Sequence, residues 1–182
     1  NAAQQAIRFV SNLTEADLLI CLISGGGSAL MAAPHAGISL ADLQVLTATL
    51  LACGARIDEI NALRRHLDQL KGGGLAKLAA PSRVISLILS DVVNNPLEVI
   101  ASGPTVPDPS CREDVLGILD KYCVRRAVPP SILAVLETAP ETPKPGNSLF
   151  ARVQNLIIGS NAQAAQAALQ QAEKESFTAR FL

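Results

Sequence analysis

Charge is scarce in this 182-residue sequence. Only 17% of its residues are Asp, Glu, Lys or Arg and the formal net charge is -1, so nothing in the composition draws it toward nucleic acid or an anionic membrane surface. No apolar run approaches the roughly 20 residues that a membrane-spanning helix requires, and the opening residues do not read as a basic-then-apolar leader. The default expectation is a soluble, cytoplasmic protein. The four cysteines, Cys21, Cys53, Cys111 and Cys123, stand at irregular intervals without a Cys-x-x-Cys pair, which spells out neither a zinc site nor a dithiol redox motif and leaves buried thiols as the expectation. The two histidines, His35 and His66, have no acidic or nucleophilic neighbour that would make either catalytic. The triplet Asn12-Leu13-Thr14 satisfies a glycosylation sequon, but nothing else suggests secretion.

What is plentiful is apolar: 49% of residues are hydrophobic, enough to bury a sizeable core in one domain. The run Asp17 to Ile23 is a short apolar strand with β-branched members, the pattern of a parallel strand covered on both faces. It stops in Ser24-Gly25-Gly26-Gly27-Ser28. Glycines there allow close approach of backbone amides to one anion, and the two serines add hydroxyl donors. Both ends of the sequence look cut, since it opens in a helical pattern (Asn1 to Val10) and stops in strand-like residues (Phe177 to Leu182).

Between those ends strands alternate with helices. Ser39 and Asp42 form a capping box for a helix that ends near Cys53-Gly54. A second helix is expected from Asp58 to Leu70, burying Ile57, Ile60, Leu63, Leu67 and Leu70 and presenting Asn61, Arg64, Asp68 and Lys71 together on the opposite side. Lys71-Gly72-Gly73-Gly74 ends it, and a short helical segment, Leu75 to Leu78, closes at Pro81. Val84 to Leu89 is the clearest strand and ends in Ser90-Asp91. A proline-rich loop follows, then helices from Cys111 to Tyr122, capped by Ser110, and from Ser131 to Leu136. Pro140 to Asn147 reads as an exposed connection. Val153 to Ile158 is a third strand ending in Gly159-Ser160-Asn161, an alanine-rich helix runs to Lys174, and a fourth strand begins in the last residues.

This alternation implies an α/β fold, a Rossmann-like parallel sheet with helices on both faces. Such sheets bind ligands at the carboxyl ends of their strands, where three small polar clusters are expected here. Turn formation alone explains any one of them. Standard phosphate signatures are missing: Leu30 occupies the position where a dinucleotide fingerprint needs a small residue, and Lys71 precedes its glycines where a P-loop lysine follows them. Lys71 can neutralise a phosphoryl group or merely stabilise a helix end. Asp91 can hold a metal, accept a proton or cap a turn. Arg64 can clamp a carboxylate or pair with Asp68 on the helix surface.

Four segments carry a resemblance. They are Leu22 to Leu30; Asn61 to Ala76 with its Arg64-Arg65-His66-Leu67 and Lys71 to Gly74; Ser86 to Val92 with Ile100 to Val106; and Ile158 to Asn161. In this order they resemble the glycerate 2-kinase family, whose second domain is called MOFRL. The resemblance implies ATP-dependent phosphorylation of glycerate with Mg2+ or another divalent cation, giving 2-phosphoglycerate. It further implies that residues 1–182 are the central and later part of a first, Rossmann-like domain, with a Gly-Lys-Ala segment upstream and the MOFRL domain downstream, so that this chain alone is expected to be inactive. Lys71, Asp91 and Arg64 are the expected catalytic residues, Asp91 also the metal ligand. Ser24, Gly25, Gly26, Gly27, Ser28, Gly72, Gly73, Gly74, Ser90, Ser102, Gly103, Thr105, Ser160 and Asn161 are the expected substrate- or phosphate-binding set. Relatives usually carry Gly-Asp where this chain has Asn94-Asn95, which weakens a second carboxylate in that loop. Expected partners are glycerate and ATP, with a homo-oligomer compatible. The alternatives are a nicotinamide-dependent hydroxypyruvate reductase and a non-catalytic small-anion binding module.

Overall fold

The three apolar runs pair as one parallel sheet in the order β1-β2-β3. The computed structural model describes residues 2–180. Helix α1 (Ala2–Val10) leads into β1 (Leu18–Ser24), the single-turn α2 (Gly27–Leu30), then α3 (Leu40–Ala52), α4 (Ile57–His66) and α5 (Gly74–Ala79). Strand β2 (Arg83–Ser90) is followed by a 3-10 turn at Ile100–Ser102, α6 (Arg112–Lys121) and α7 (Pro130–Thr138), and a second 3-10 turn (Ser148–Arg152) enters β3 (Val153–Ser160) and α8 (Asn161–Lys174). Leu18 to Ser24 align residue by residue with Arg83 to Leu89, and β2 aligns with β3 up to an irregularity at Ile88/Leu89. All three strands therefore point the same way, and Ser24, Ser90 and Ser160 end them on one edge.

Two cores hold the fold. One lies between α1, α5 and the sheet, built from Ala3, Val10, Leu70, Leu75, Ala79 and Val84. The other is helical, with Leu46 and Leu50 of α3, Leu63 of α4, Val115 and Leu119 of α6 and Ile132 of α7. Each large side chain buried there contributes about 2 kcal/mol, which lets α4 keep polar residues inside as well. The capping box of α3 is present, with Ser39 N donating to Asp42 Oδ2 at 2.9 Å and Asp42 N to Ser39 Oγ at 3.1 Å. Gly54 follows the helix with φ +75°, a left-handed turn that glycine adopts without a Cβ clash.

Several expectations are corrected. The strand β1 is not covered on both faces among the described residues: Leu18, Ile20 and Leu22 are 51%, 56% and 79% exposed while Leu19 and Cys21 pack on the sheet core. Helix α4 stops at His66 rather than Leu70, because Asp68 bridges to Pro34 and takes over the amides of Leu70 and Lys71. Its sides are also reassigned. Ile57 is exposed, whereas Asn61, Asp68 and Lys71 are buried, since the chain after α2 folds back over the side that periodicity marks as polar. The cap of α6 is not Ser110: Asp114 accepts from Cys111 N at 2.8 Å, and Ser110 is engaged by Asp108. The connection at Pro140–Asn147 is pinned at Pro143, which is buried and accepts from Asp108 N at 2.8 Å. Cys21, Cys53 and Cys111 are only partly buried and Cys123 is exposed. No strand forms over Phe177–Arg180, and the last two residues of that expected strand lie outside the described residues.

Candidate active site

The carboxyl edge of the sheet brings the small polar clusters together. At the tip of β1 a Cβ on Gly25 would lie 2.1 Å from Asp91 Oδ2, so the Asp91 carboxylate, from the tip of β2, rests in the space glycine leaves. Gly26 has φ +79°, and the amides of Gly26, Gly27 and Ser28 donate to no carbonyl among the described residues. From the tip of β3, Asn161 Nδ2 donates to the Asp91 carbonyl at 2.9 Å. Ser160 caps α8, accepting from Gln163 N at 3.3 Å. Three segments far apart in sequence thus meet around Asp91, which is exposed and whose carboxylate has no hydrogen-bond or ion-pair partner among the described residues.

The loop after β2 joins this edge from below. Ala101, Ser102 and Gly103 have φ of 51°, 61° and 60°, a run of left-handed backbone that costs on the order of 1 kcal/mol at each non-glycine residue. Surrounding bonds compensate. Ser102 Oγ meets Ser28 Oγ at 2.7 Å; Ser102 and Gly103 carbonyls accept from Gly72 N at 2.9 Å and Gly73 N at 2.8 Å, and Gly74 N donates to Lys71 O at 2.9 Å. The amides of Gly72 and Gly73 are therefore spent on locking two loops together, and that of Gly74 on its own turn. Thr105 is 1% exposed and sits under the loop, accepting from Ser86 Oγ at 2.9 Å and donating to Asn155 Oδ1 at 2.6 Å. Ser90 is buried and closes a turn with Val92. These contacts make Thr105, Ser90 and Gly72 to Gly74 framework beneath the edge, away from its open surface.

Beside the glycine loop lies a cleft of about 400 Å³ between α3 and α4, with Ser28, Gln44, Thr47, Arg64, Asp68 and Lys71 among its lining. Arg64 is half-buried and has no hydrogen-bond or ion-pair partner among the described residues; the surface pair with Asp68 is not formed. Lys71 is not a solvated helix-end charge but 3% exposed, its Nζ donating to Asp68 Oδ2 at 2.7 Å and to Met31 O at 3.0 Å. A larger hollow of about 880 Å³, lined by Arg83 and Arg152 among others, lies at the amino ends of the strands, the end of a parallel sheet that ordinarily does not hold the ligand.

Sequence reasoning missed the buried polar cluster behind α4. Arg65 Nε donates to Asp108 Oδ1 at 2.7 Å, and the His66 ring faces Asp108 Oδ2 and Glu141 Oε1, each at 3.3 Å. Ser110 and Thr142 donate to Asp108 at 2.7 and 2.9 Å, and Lys144 Nζ donates to Ser110 O. Burial pushes the Asp108 carboxyl up, but the His66 hydrogen bond, the Arg65 charge and Ser110 outweigh it and hold the group well below the usual carboxylate range. The only signal for this in the sequence is an acid enclosed by Pro107 and Pro109, distant from its partners. Among the described residues no group of three or more His, Cys, Asp or Glu is placed to hold a metal, and no helix is long and apolar enough to cross a membrane.

Fold and edge together define a class: an α/β domain whose parallel strands end in a glycine loop and a free carboxylate, with a basic cleft alongside. Within that class the chain belongs to the family described as "Domain of unknown function (DUF4147)", which matches residues 1–137. It is 49% identical over 181 residues to the glycerate kinase of Rattus norvegicus, which covers 100% of this chain and 34% of that protein. It is 41% identical over 179 residues to the glycerate 2-kinase of Pyrococcus horikoshii, covering 97% of this chain and 40% of that protein. The crystal structure of the glycerate kinase of Thermotoga maritima matches with a TM-score of 0.86 at 38% identity, over 98% of this chain and 41% of that one. The chain thus spans between about a third and two fifths of the length of these relatives.

Proposed function

We propose that this chain is the first-domain part of an enzyme that phosphorylates glycerate with ATP to give 2-phosphoglycerate, and that it does not turn over by itself. The single observation that carries the reading is the meeting of the Gly25 loop, Asp91 and Asn161 at one sheet edge, with an unpartnered Arg64 in the adjoining cleft. Similarity to glycerate kinases over essentially the whole chain supports the substrate pair.

In this reaction the glycerate hydroxyl gives its proton to Asp91 and its oxygen bonds to the γ-phosphorus of ATP as the bond to the bridging oxygen breaks, releasing ADP. Phosphoryl transfer needs little covalent help, so the residues act by position and charge. Ser24, Ser28 and the free amides of Gly26 and Gly27 hold an oxyanion of the substrate. Arg64 binds the carboxylate in bidentate fashion, and Lys71 adds a directed N–H. Ser160, Asn161, Ser102 and Gly103 keep the edge in shape. A divalent ion such as Mg2+ commonly takes one protein carboxylate beside substrate phosphates; the unpartnered Asp91 carboxylate would be the one to hold it, in place of accepting the hydroxyl proton, and the ion would supply charge neutralisation.

The test is ADP release by the complete enzyme with ATP, Mg2+ and glycerate, the product identified by phosphorus NMR as 2-phosphoglycerate. Asp91→Asn is expected to lower kcat by about a hundredfold or more. Absence of ADP release, or oxidation of a reduced nicotinamide with hydroxypyruvate, would overturn the proposal.

A further inference from the structure

In the sequence Asp68 is one of four polar residues spaced along a helix; in the structure it is the junction of the cleft. It is 7% exposed. Its carboxylate accepts from the amides of Ala33 at 2.8 Å, Leu70 at 2.9 Å and Lys71 at 3.3 Å, and from Lys71 Nζ at 2.7 Å. Those bonds tie the segment after α2 to the turn after α4, at the end of the cleft where Lys71 lies. A buried carboxylate so thoroughly satisfied is a stable fixture, and removing its counter-ion leaves an uncompensated charge.

The charge balance within the cleft follows. Asp68 cancels Lys71, so the net positive charge facing the cleft rests on Arg64, which nothing neutralises among the described residues. Lys71 Nζ also donates to Met31 O at 3.0 Å. An ammonium carries three N–H donors, and the third has no acceptor among the described residues although Lys71 lines the cleft.

We propose that Asp68 is a positioning residue acting through Lys71: it aims the ammonium at the anion that enters the cleft while cancelling its charge. Arg64 then supplies the attraction that binds the anion, and Lys71 supplies direction in the transition state. A merely structural strut would make no such division. The kinetic half of the proposal rests on the glycerate kinase reading; the binding half does not.

Kinetically, Asp68→Asn in the complete enzyme releases an uncompensated ammonium that is no longer aimed. The expected result is a split: kcat falls at least about tenfold while KM for glycerate also falls, by about threefold or more. Adding Asp68→Asn to Lys71→Met is expected to cost nothing further, because the two residues act as one unit. A lowered kcat with KM unchanged or raised, or losses that add, would overturn the proposal. For binding, inorganic phosphate titrated calorimetrically into wild type and Asp68→Asn is expected to bind the variant at least about threefold more tightly; equal or weaker binding overturns it. This arm needs no turnover, so an enzyme inactive on glycerate would sink the kinase reading alone. Should Asp68→Asn not fold, Lys71→Gln leaves the Asp68 carboxylate bare in the cleft. Phosphate affinity is then expected to drop about tenfold or more, and an unchanged affinity overturns the proposal.

Discussion

At Gly25 and Gly74 the same atom is missing for different reasons. A Cβ on Gly25 would meet the Asp91 carboxylate at 2.1 Å, the movable end of an exposed side chain, whereas one on Gly74 would meet the Gln69 carbonyl oxygen at 2.2 Å, which is backbone. Gly25→Ala is therefore expected to leave stability within about 1 kcal/mol of wild type, and Gly74→Ala to cost about 3 kcal/mol, both read from urea unfolding. Activity should respond in the opposite order. Gly25→Ala displaces Asp91 and is expected to suppress turnover of the complete enzyme even though the chain folds. Similar stabilities for the two variants would show that Asp91 is held more rigidly than its exposure implies.

Between elements, α4 is fastened by carboxylates. Glu59 accepts from Lys121 Nζ at 2.6 Å and Tyr122 Oη at 2.8 Å at the C-terminal end of α6, and from Arg56 N at 2.8 Å. The Lys121 hydrogen bond, then the Arg56 amide and Tyr122, bring its carboxyl from the ordinary 4.5 down to about 2. Asp108 is likewise held below the carboxylate range. Both groups are depressed in the folded state, so their stabilisation is fully present above their unfolded values and is lost as pH falls through the folded ones. Stability is thus expected to fall steadily below pH about 4.5. Glu59→Gln should flatten that fall between about 4.5 and about 2, leaving the share due to Asp108; an unaltered acid limb in unfolding measurements from pH 5 downward would contradict it.

At the scale of the molecule the sheet has, among the described residues, one packed face and one open face. Leu22 at 79%, Ile20 at 56% and Leu89 at 54% exposure form a contiguous apolar surface across β1 and β2, larger in character than the scattered exposed leucines of an ordinary surface. The 182-residue chain is expected to bind an apolar dye and to self-associate with rising concentration. Ile20→Thr combined with Leu22→Thr should reduce both while changing the melting temperature by only a few degrees, since neither side chain is in a core. Dye binding that persists in the double variant would place the apolar surface elsewhere, for example beside Phe9 and Leu30.

Three of the four expected strands and the glycine loop were legible in the sequence because each depends on a local pattern, apolar runs with β-branched members and then residues that tolerate left-handed backbone, and the convergence of the tips followed from reading the alternation as a parallel sheet. The Ser39 capping box was legible for the same reason. Which polar side chains are buried was not. Asn61, Arg64, Asp68 and Lys71 sit three or four residues apart on the side opposite the apolar one, yet Asp68 and Lys71 are buried and bonded to Ala33 and Met31, contacts that span 35 and 40 residues of sequence. The amides of Gly72 and Gly73 likewise look free in the sequence and are spent on Ser102 and Gly103. Periodicity tells which side of a helix differs from the other, but the partner that covers a side comes from distant chain, so burial and the pairing of Lys71 with Asp68 while Arg64 stays unpaired among the described residues were decided by the tertiary structure alone.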